Sequence, residues 1–249
     1  MIRLEGVSVG FDDHDVLSEV SLDFESGALV ALIGPPSAGK SLLLKVLAGL
    51  VRPRAGKVLI GEVDLVSAKP AALSLVQKHI GMLFQNNALF DSKTIFDNVA
   101  FPLRRSVEPP PEAVIAERVQ ARLAEVGLAS SAALLPHALS GGMQKRAGIA
   151  RATIAGPRLR LFDEPTAGLD PVTSARILAL ITRLHAQAEG QAVTIIVSNE
   201  MDTLLRAAPR TIMLHQGRVV FDGPTADIHA GAAPAVALAF ASGDVSFAI

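Results

Sequence analysis

Cysteine is absent from the 249 residues, so no disulfide framework holds this chain together, and a reducing, cytosolic setting is expected. Long apolar runs are absent too. A membrane-spanning helix needs roughly 18 such residues in a row, and the densest stretches here, 29–33 and 193–197, have the length of buried strands. The N-terminus lacks the basic segment and apolar core of a signal peptide and reads directly as strand. Neither sign of charge dominates: 23 basic and 24 acidic side chains are interspersed and leave −1 at neutral pH, which gives no electrostatic footprint for nucleic acid as a partner. No long internal repeat occurs. The histidines, including His137, His185 and His215, lack metal-ligand spacing, which leaves them surface or structural roles.

What remains is a half-apolar chain of a length suited to one α/β domain with lobes. Residues 2–11, 20–24 and 57–60 are short β-like runs around a denser apolar strand at 29–33, which predicts a small antiparallel layer beside a strand that leads into a glycine-bearing turn and a helix. Between 70 and 136 the spacing becomes helical. It is clearest at 112–126, where Val114, Ile115, Val119, Leu123 and Val126 fall along one face behind a proline start, and an inserted helical lobe is expected at about 86–156. From residue 159 strand and helix patterns alternate again, with strands at 159–162, 193–197 and 211–214, helices at 172–188 and 201–207, and a hairpin at Gln216 and Gly217. This alternation predicts a mostly parallel sheet. Beyond Thr225 the chain turns alanine-rich without clear periodicity, although Val236, Leu238 and Phe240 suit an apolar surface or a contact with a second subunit.

Gly34, Pro35, Pro36, Ser37, Ala38, Gly39, Lys40 and Ser41 fit the phosphate-loop pattern GxxxxGK[ST], with Leu42 opening the apolar helix behind them. The chemistry is specific. Glycines let backbone N–H groups converge on phosphate oxygens, the helix start adds a favourable dipole, Lys40 reaches the β and γ phosphates, and the Ser41 hydroxyl suits Mg²⁺. An incidental glycine-rich turn would not need a strand before it and a helix after it. The apolar strand at 159–162 ends in Asp163 and Glu164, and open α/β sheets bind ligands at the carboxyl ends of their strands. Taken alone, two acids there read as solvated turn residues; with the phosphate loop upstream, Asp163 reads as a Mg²⁺ ligand through water and Glu164 as the general base. Arg160 is an unusual charge within this strand. A second anion site is expected where Ser140 caps a helix that begins Gly141, Gly142, Met143, Gln144, although a Ser-Gly-Gly turn is also common chemistry for helix entry.

Together with Gln85 after the strand at 80–84 and with Gly168, Leu169 and Asp170 behind the acidic pair, these motifs resemble the ATP-binding cassette family over residues 1 to about 225. The resemblance implies one ATPase domain at 1–225 built on a P-loop NTPase core and a tail at 226–249, with ATP and Mg²⁺ as cofactors. It also implies that Gln85 senses metal and attacking water, and that Phe11 stacks on adenine near Val16, unless Phe11 is a core residue of its strand. Ser140, Gly141, Gly142 and Gln144 would close over ATP held by a second copy, with Gly168, Leu169 and Asp170 at the same contact. The expected assembly is a homodimer on the cytoplasmic face of the inner membrane, bound to an integral membrane permease. A narrower resemblance, in Gly81 to Phe90 and Thr94 to Leu103, is to the ATPase of Mla-type phospholipid transporters, which work with MCE-domain proteins; this stretch is where the family docks its permease.

One position departs from the family. Where it places a γ-phosphate-contacting histidine, this chain has Asn199, whose shorter amide is expected to slow hydrolysis while ATP binding is kept. The alternatives are the motor of a small-solute importer, or an ATP-gated regulatory module with weak turnover. Relatives that act on DNA or ribosomes carry tandem cassettes or long coiled coils, which this chain lacks.

Overall fold

In the computed structural model, which describes residues 1–12, 14–198 and 201–243, the chain opens with two long antiparallel strands, β1 (Ile2–Phe11) and β2 (His14–Phe24). β3 (Leu29–Ile33) runs into α1 (Lys40–Leu47), after which β4 (Ala55–Ile60) and β5 (Val63–Asp64) return to β1. Next come α2 (Pro70–Gln77), β6 (Ile80–Leu83) and three helices, α3 (Ile95–Arg104), α4 (Glu112–Glu125) and α5 (Gly141–Thr153). The last stretch alternates β7 (Leu159–Asp163), α6 (Pro171–Ala186), β8 (Val193–Val197), α7 (Met201–Ala207), β9 (Arg210–His215) and β10 (Arg218–Pro224), and ends in α8 (Thr225–His229) and α9 (Ala235–Ala241). One sheet has the order β2-β1-β4-β5 and is antiparallel; the other has the order β10-β9-β3-β8-β7-β6 and is parallel from β6 to β9, with β10 as an antiparallel edge. This is the expected α/β class, an antiparallel layer beside a mostly parallel sheet.

Period-two alternation along the central strands divides the core in two. Leu29, Ala31 and Ile33 of β3, Phe162 of β7 and Ile196 of β8 face the helices α3 to α7. Val30 and Leu32, Leu159 and Leu161, and Val193, Ile195 and Val197 face α1 and the antiparallel sheet. Both faces are therefore covered, and the strands' carboxyl ends are left to form the site.

Two fixed points set the helical segment. Asn98 is fully buried on α3; its Oδ1 accepts from Phe90 N at 2.7 Å and its Nδ2 donates to the carbonyls of Phe90, Lys93 and Thr94 at 3.0–3.1 Å, which clamps the loop before the helix. Gly81 of β6 lies so close to α5 that a Cβ there would stand 1.8 Å from Ala152 O, a backbone atom. Overpacking of this kind is destabilising, so Gly81→Ala is expected to lower stability by about 3 kcal/mol, or roughly 9 °C in Tm for a chain of this size. A melting curve that coincides with that of the unaltered protein would contradict the packing.

Three differences from the sequence reading have physical reasons. β2 begins at His14 rather than near residue 20, because β1 offers ladder partners across register shifts that continue the pairing to Phe11. The predicted apolar face of α4 holds at Ile115, Val119, Leu123 and Val126, all buried, whereas Val114 lies at its margin and is half-buried. The tail beyond Thr225, which shows no clear periodicity in sequence, forms α8 and α9, and Val236, Leu238 and Phe240 cover an apolar surface as expected, packing with Ile228, Ala233 and Ala237 on the helical face of the core.

Candidate functional site

The loop between β3 and α1 is set by backbone conformations that few residues adopt. Gly34 has φ 143° and a Cβ there would stand 2.1 Å from Leu214 O, while Gly39 has φ 97° and a Cβ there would meet Leu17 Cδ2 at 2.5 Å. Both positions require glycine on grounds of conformation and space. Ser37 also has positive φ, 64°. Pro35 and Pro36 have no N–H, and Ala38 N donates to Pro35 O at 3.2 Å, so the loop donors open to an anion are the amides of Ser37 and of Gly39 to Ser41, leading into α1. Lys40 Nζ donates to Gly34 O at 2.7 Å and Pro35 O at 2.9 Å, which curls its side chain over the cradle. Burial pushes its pKa down, and Glu164 and Asp163 pull it back up. Val16, half-buried on β2, has its carbonyl 3.2 Å from the space a Gly39 Cβ would take, so it flanks the loop.

β7 delivers Asp163 to the same place. Ser41 Oγ donates to Asp163 Oδ1 at 2.8 Å, and Asp163 is only 3% exposed. Burial raises its pKa, against the Ser41 hydrogen bond and the charges of Lys45, Lys40 and Lys145. A hydroxyl beside a buried carboxylate that is costly to leave uncompensated is the hard oxygen donor set that Mg²⁺ takes, so the residues fit that ion. Glu164 follows with φ 50°, a sparsely populated region for glutamate. Its N–H donates to Val197 O at 2.9 Å and its carbonyl accepts from Lys145 Nζ at 3.1 Å, so neighbouring elements hold the backbone in this conformation.

Lys145 escaped the sequence reading. It is 4% exposed on α5, and its Nζ donates to Gln85 O at 2.6 Å as well as to Glu164 O, so one buried cation joins the turn after β6, the helix and the acidic pair. Its only sequence signal is a lysine on a helix whose next turns, Ala147, Ile149 and Ala150, are wholly buried. Gln85 itself is exposed and is held through its carbonyl. A second unforeseen contact is the buried hydroxyl pair of Thr166 and Ser198, at 2.8 Å.

The other predicted residues lie elsewhere. Ser140 caps α5 by accepting from Met143 N at 3.4 Å, and Ser140 and Gly141 are exposed. Gln144 Nε2 donates to Pro136 O and Leu139 O, so its amide braces its own loop. Leu169 Cδ2 would touch a Cβ at either Gly141 or Gly142 at 3.8 Å, and Asp170 caps α6 by accepting from Thr173 N at 3.0 Å; Gly168 has φ 77°. A cavity of about 840 Å³ runs between Ser140, Gly142, Leu169 and Asp170, and none of the phosphate-loop residues line it. Phe11 ends β1, but its side chain lies outside what is described, and Asn199 lies outside the described residues altogether.

With this geometry in hand, comparison with known proteins is specific. The family described as ABC transporter matches residues 17–167. The probable ribonucleotide transport ATP-binding protein mkl of Mycobacterium leprae is 37% identical over 90% of this chain, which spans 63% of that relative's length. The methionine import ATP-binding protein MetN of Caulobacter vibrioides is 37% identical over 100% of this chain and 75% of its own. The intermembrane phospholipid transport system ATP-binding protein MlaF of Haemophilus influenzae is 36% identical over 90% of this chain and 83% of its own. Among solved structures, a dimeric post-hydrolysis state of an ATP-binding cassette bound to ADP and Pi superposes with a TM-score of 0.82 at 28% identity, covering 90% of this chain and 99% of that one.

Proposed function

Because this chain belongs to the ABC transporter family, we propose that it is the ATP-hydrolysing motor of a membrane transporter, with residues 1–225 as the ATPase domain and 226–249 as a tail. The observation that carries the proposal is the meeting of Ser41 Oγ and Asp163 Oδ1 at 2.8 Å, with Lys40 near enough for the charges of Glu164 and Asp163 to act on it. In this reading the amides of Ser37 and of Gly39 to Ser41 and the Lys40 ammonium grip the β and γ phosphates. Ser41, Asp163 and Gln85 would hold Mg²⁺, which when bound would supply neutralisation of charge on the phosphate oxygens. Glu164 orients a water and takes its proton as the oxygen attacks the γ-phosphorus, and the bond to the bridging β-phosphate oxygen breaks to leave ADP and phosphate. The adenine rests against Phe11 near Val16.

Among the described residues lining the cavity beside Ser140 none belongs to the phosphate loop, and the similar solved cassette is dimeric, which together support a homodimer in which Ser140, Gly141, Gly142 and Gln144 of one copy face the nucleotide of the other, with Gly168, Leu169 and Asp170 at the seam. Closure then depends on a γ-phosphate that hydrolysis removes. Among the described residues no helix is long and apolar enough to cross a membrane, so transport requires a permease subunit. A groove of about 430 Å³ fits such a partner. Its walls include Leu50, 53% exposed, and Phe90, whose ring lies 4.8 Å from that of Phe101 and 5.7 Å from the Arg151 guanidinium.

The cargo we propose is phospholipid, with an MCE-domain protein in the assembly on the cytoplasmic face of the inner membrane. Overall identity does not choose it, since the relatives named for methionine import and for phospholipid transport are equally similar. What supports it is that the two Mla-like stretches supply the groove's Gly81, Met82, Phe84, Ala88, Phe90, Phe101 and Pro102. The test is purification in detergent with its permease: bound phospholipid together with ATP turnover stimulated by the assembly is the expected result, while a water-soluble cargo would favour the small-solute reading and no turnover a regulatory one. In the same assembly Asn199→His is expected to raise ATPase turnover several-fold by restoring a longer donor; an equal or lower rate would remove the role given to Asn199.

A further inference from the structure

The carboxyl end of β7 carries Asp163, and its other end carries a cation without a counter-ion. Arg160, the second residue of the strand, points to the helical side and is 7% exposed. Its Nη1 donates to Leu184 O at 2.6 Å, but its Nε has no hydrogen-bond partner. Among the described residues no carboxylate lies within ion-pair distance of it. A guanidinium does not shed its proton in a protein, so this is a buried positive charge with part of its hydrogen-bonding capacity unused.

Arg160 lines a cavity of about 400 Å³ together with Arg122 of α4, Thr153 of α5, and Gln187 and Gln191 beyond α6. Arg122 donates to Thr153 Oγ1 at 3.3 Å and pairs with Glu125 at 3.3 Å. Burial depresses the pKa of Arg160, and the charge of Arg122 depresses it further, so the two guanidiniums repel across the space they share. The carboxylate on the cavity wall is Glu189, exposed at the rim in a left-handed turn with φ 49°.

We infer that this cavity binds a small oxyanion, a phosphate- or carboxylate-bearing metabolite, between Arg160 and Arg122. Planar guanidiniums offer paired N–H donors that match such groups, and an anion relieves their mutual repulsion while satisfying the unused Nε. The depth of Arg160 favours a free small molecule over a protein surface. The site is separate from the phosphate loop: Arg160 and Asp163 are three positions apart on one strand, about 10 Å, and Arg160 lies at the amino end. An anion held there ties α4 to the central sheet.

The experiment is a titration of the full-length Lys40→Ala protein, in which the phosphate loop is weakened, with inorganic phosphate and separately with citrate at constant ionic strength, read by thermal shift and calorimetry. Saturable binding of one of them is expected, and the anion that saturates at lower concentration identifies the headgroup. Adding Arg160→Met or Arg122→Gln is expected to weaken it about tenfold, the effect of losing one charge-assisted contact. Glu189→Gln, an exposed change that leaves the fold intact, is expected to tighten it a few-fold by removing the competing carboxylate. Absence of saturable binding, or binding that neither Arg160→Met nor Glu189→Gln alters, overturns the inference.

Discussion

Glu164→Gln is expected to lower the ATPase kcat by about 10³-fold while ATP binding is kept, because a general base contributes 10²–10⁴-fold and the amide cannot accept the water's proton. The substitution is nearly isosteric, and Val197 O and Lys145 Nζ hold the peptide units on either side of this position. The fold should therefore survive, and ATP should accumulate unhydrolysed between two copies. Size-exclusion chromatography in Mg-ATP is expected to show dimers for the variant and monomers for the unaltered protein after turnover. A kcat within threefold of the original would assign the water to another residue.

Lys40→Ala is the second large effect. The ammonium donates to the loop's own carbonyls at 2.7 and 2.9 Å, and in the proposed mechanism it exchanges these bonds for charged phosphate oxygens. Hydrogen bonds to charged groups contribute about 1.5–3 kcal/mol each, so losing the difference is expected to weaken Mg-ATP about 100-fold. Calorimetric titration measures it directly. Because Gly34 and Gly39 are also confined by the close approach of Leu214 O and Leu17 Cδ2, the loop should persist in the variant without the two Lys40 hydrogen bonds. Unchanged affinity would mean that ATP is held somewhere other than this cradle.

Much of this site was legible in the sequence because its parts are contiguous. The cradle from Gly34 to Ser41 and the pair Asp163 and Glu164 each occupy one strand end, where the local pattern names both the element and its outlet. The dense apolar runs that placed strands at 29–33 and 193–197 worked for a related reason, since a strand covered on both faces reads as an unbroken apolar run. Lys145 was not legible, because its partners are carbonyls 60 and 19 residues away and a backbone oxygen leaves no mark in a sequence. Arg160 was visible as an anomaly, but its lack of a counter-ion emerges only once α4 and α6 are packed around it. In the tail the packing of Val236, Leu238 and Phe240 on an apolar surface was legible, but α8 and α9 were not, because each is under ten residues, too short for a helical period to stand out from an alanine-rich background.

The helix α5 has a consequence beyond its two ends taken singly. Its 13 residues follow the Ser140 cap, and its last turn carries Arg151 and Ala152, which form part of the groove containing Phe90. At about 1.5 Å per residue it is a rod of roughly 20 Å, pinned in its second turn by Lys145 and pressed at its far end against Gly81, where no slack remains for a methyl group. Such a rod tilts as a whole instead of bending, so a push delivered to one tip must reappear at the other.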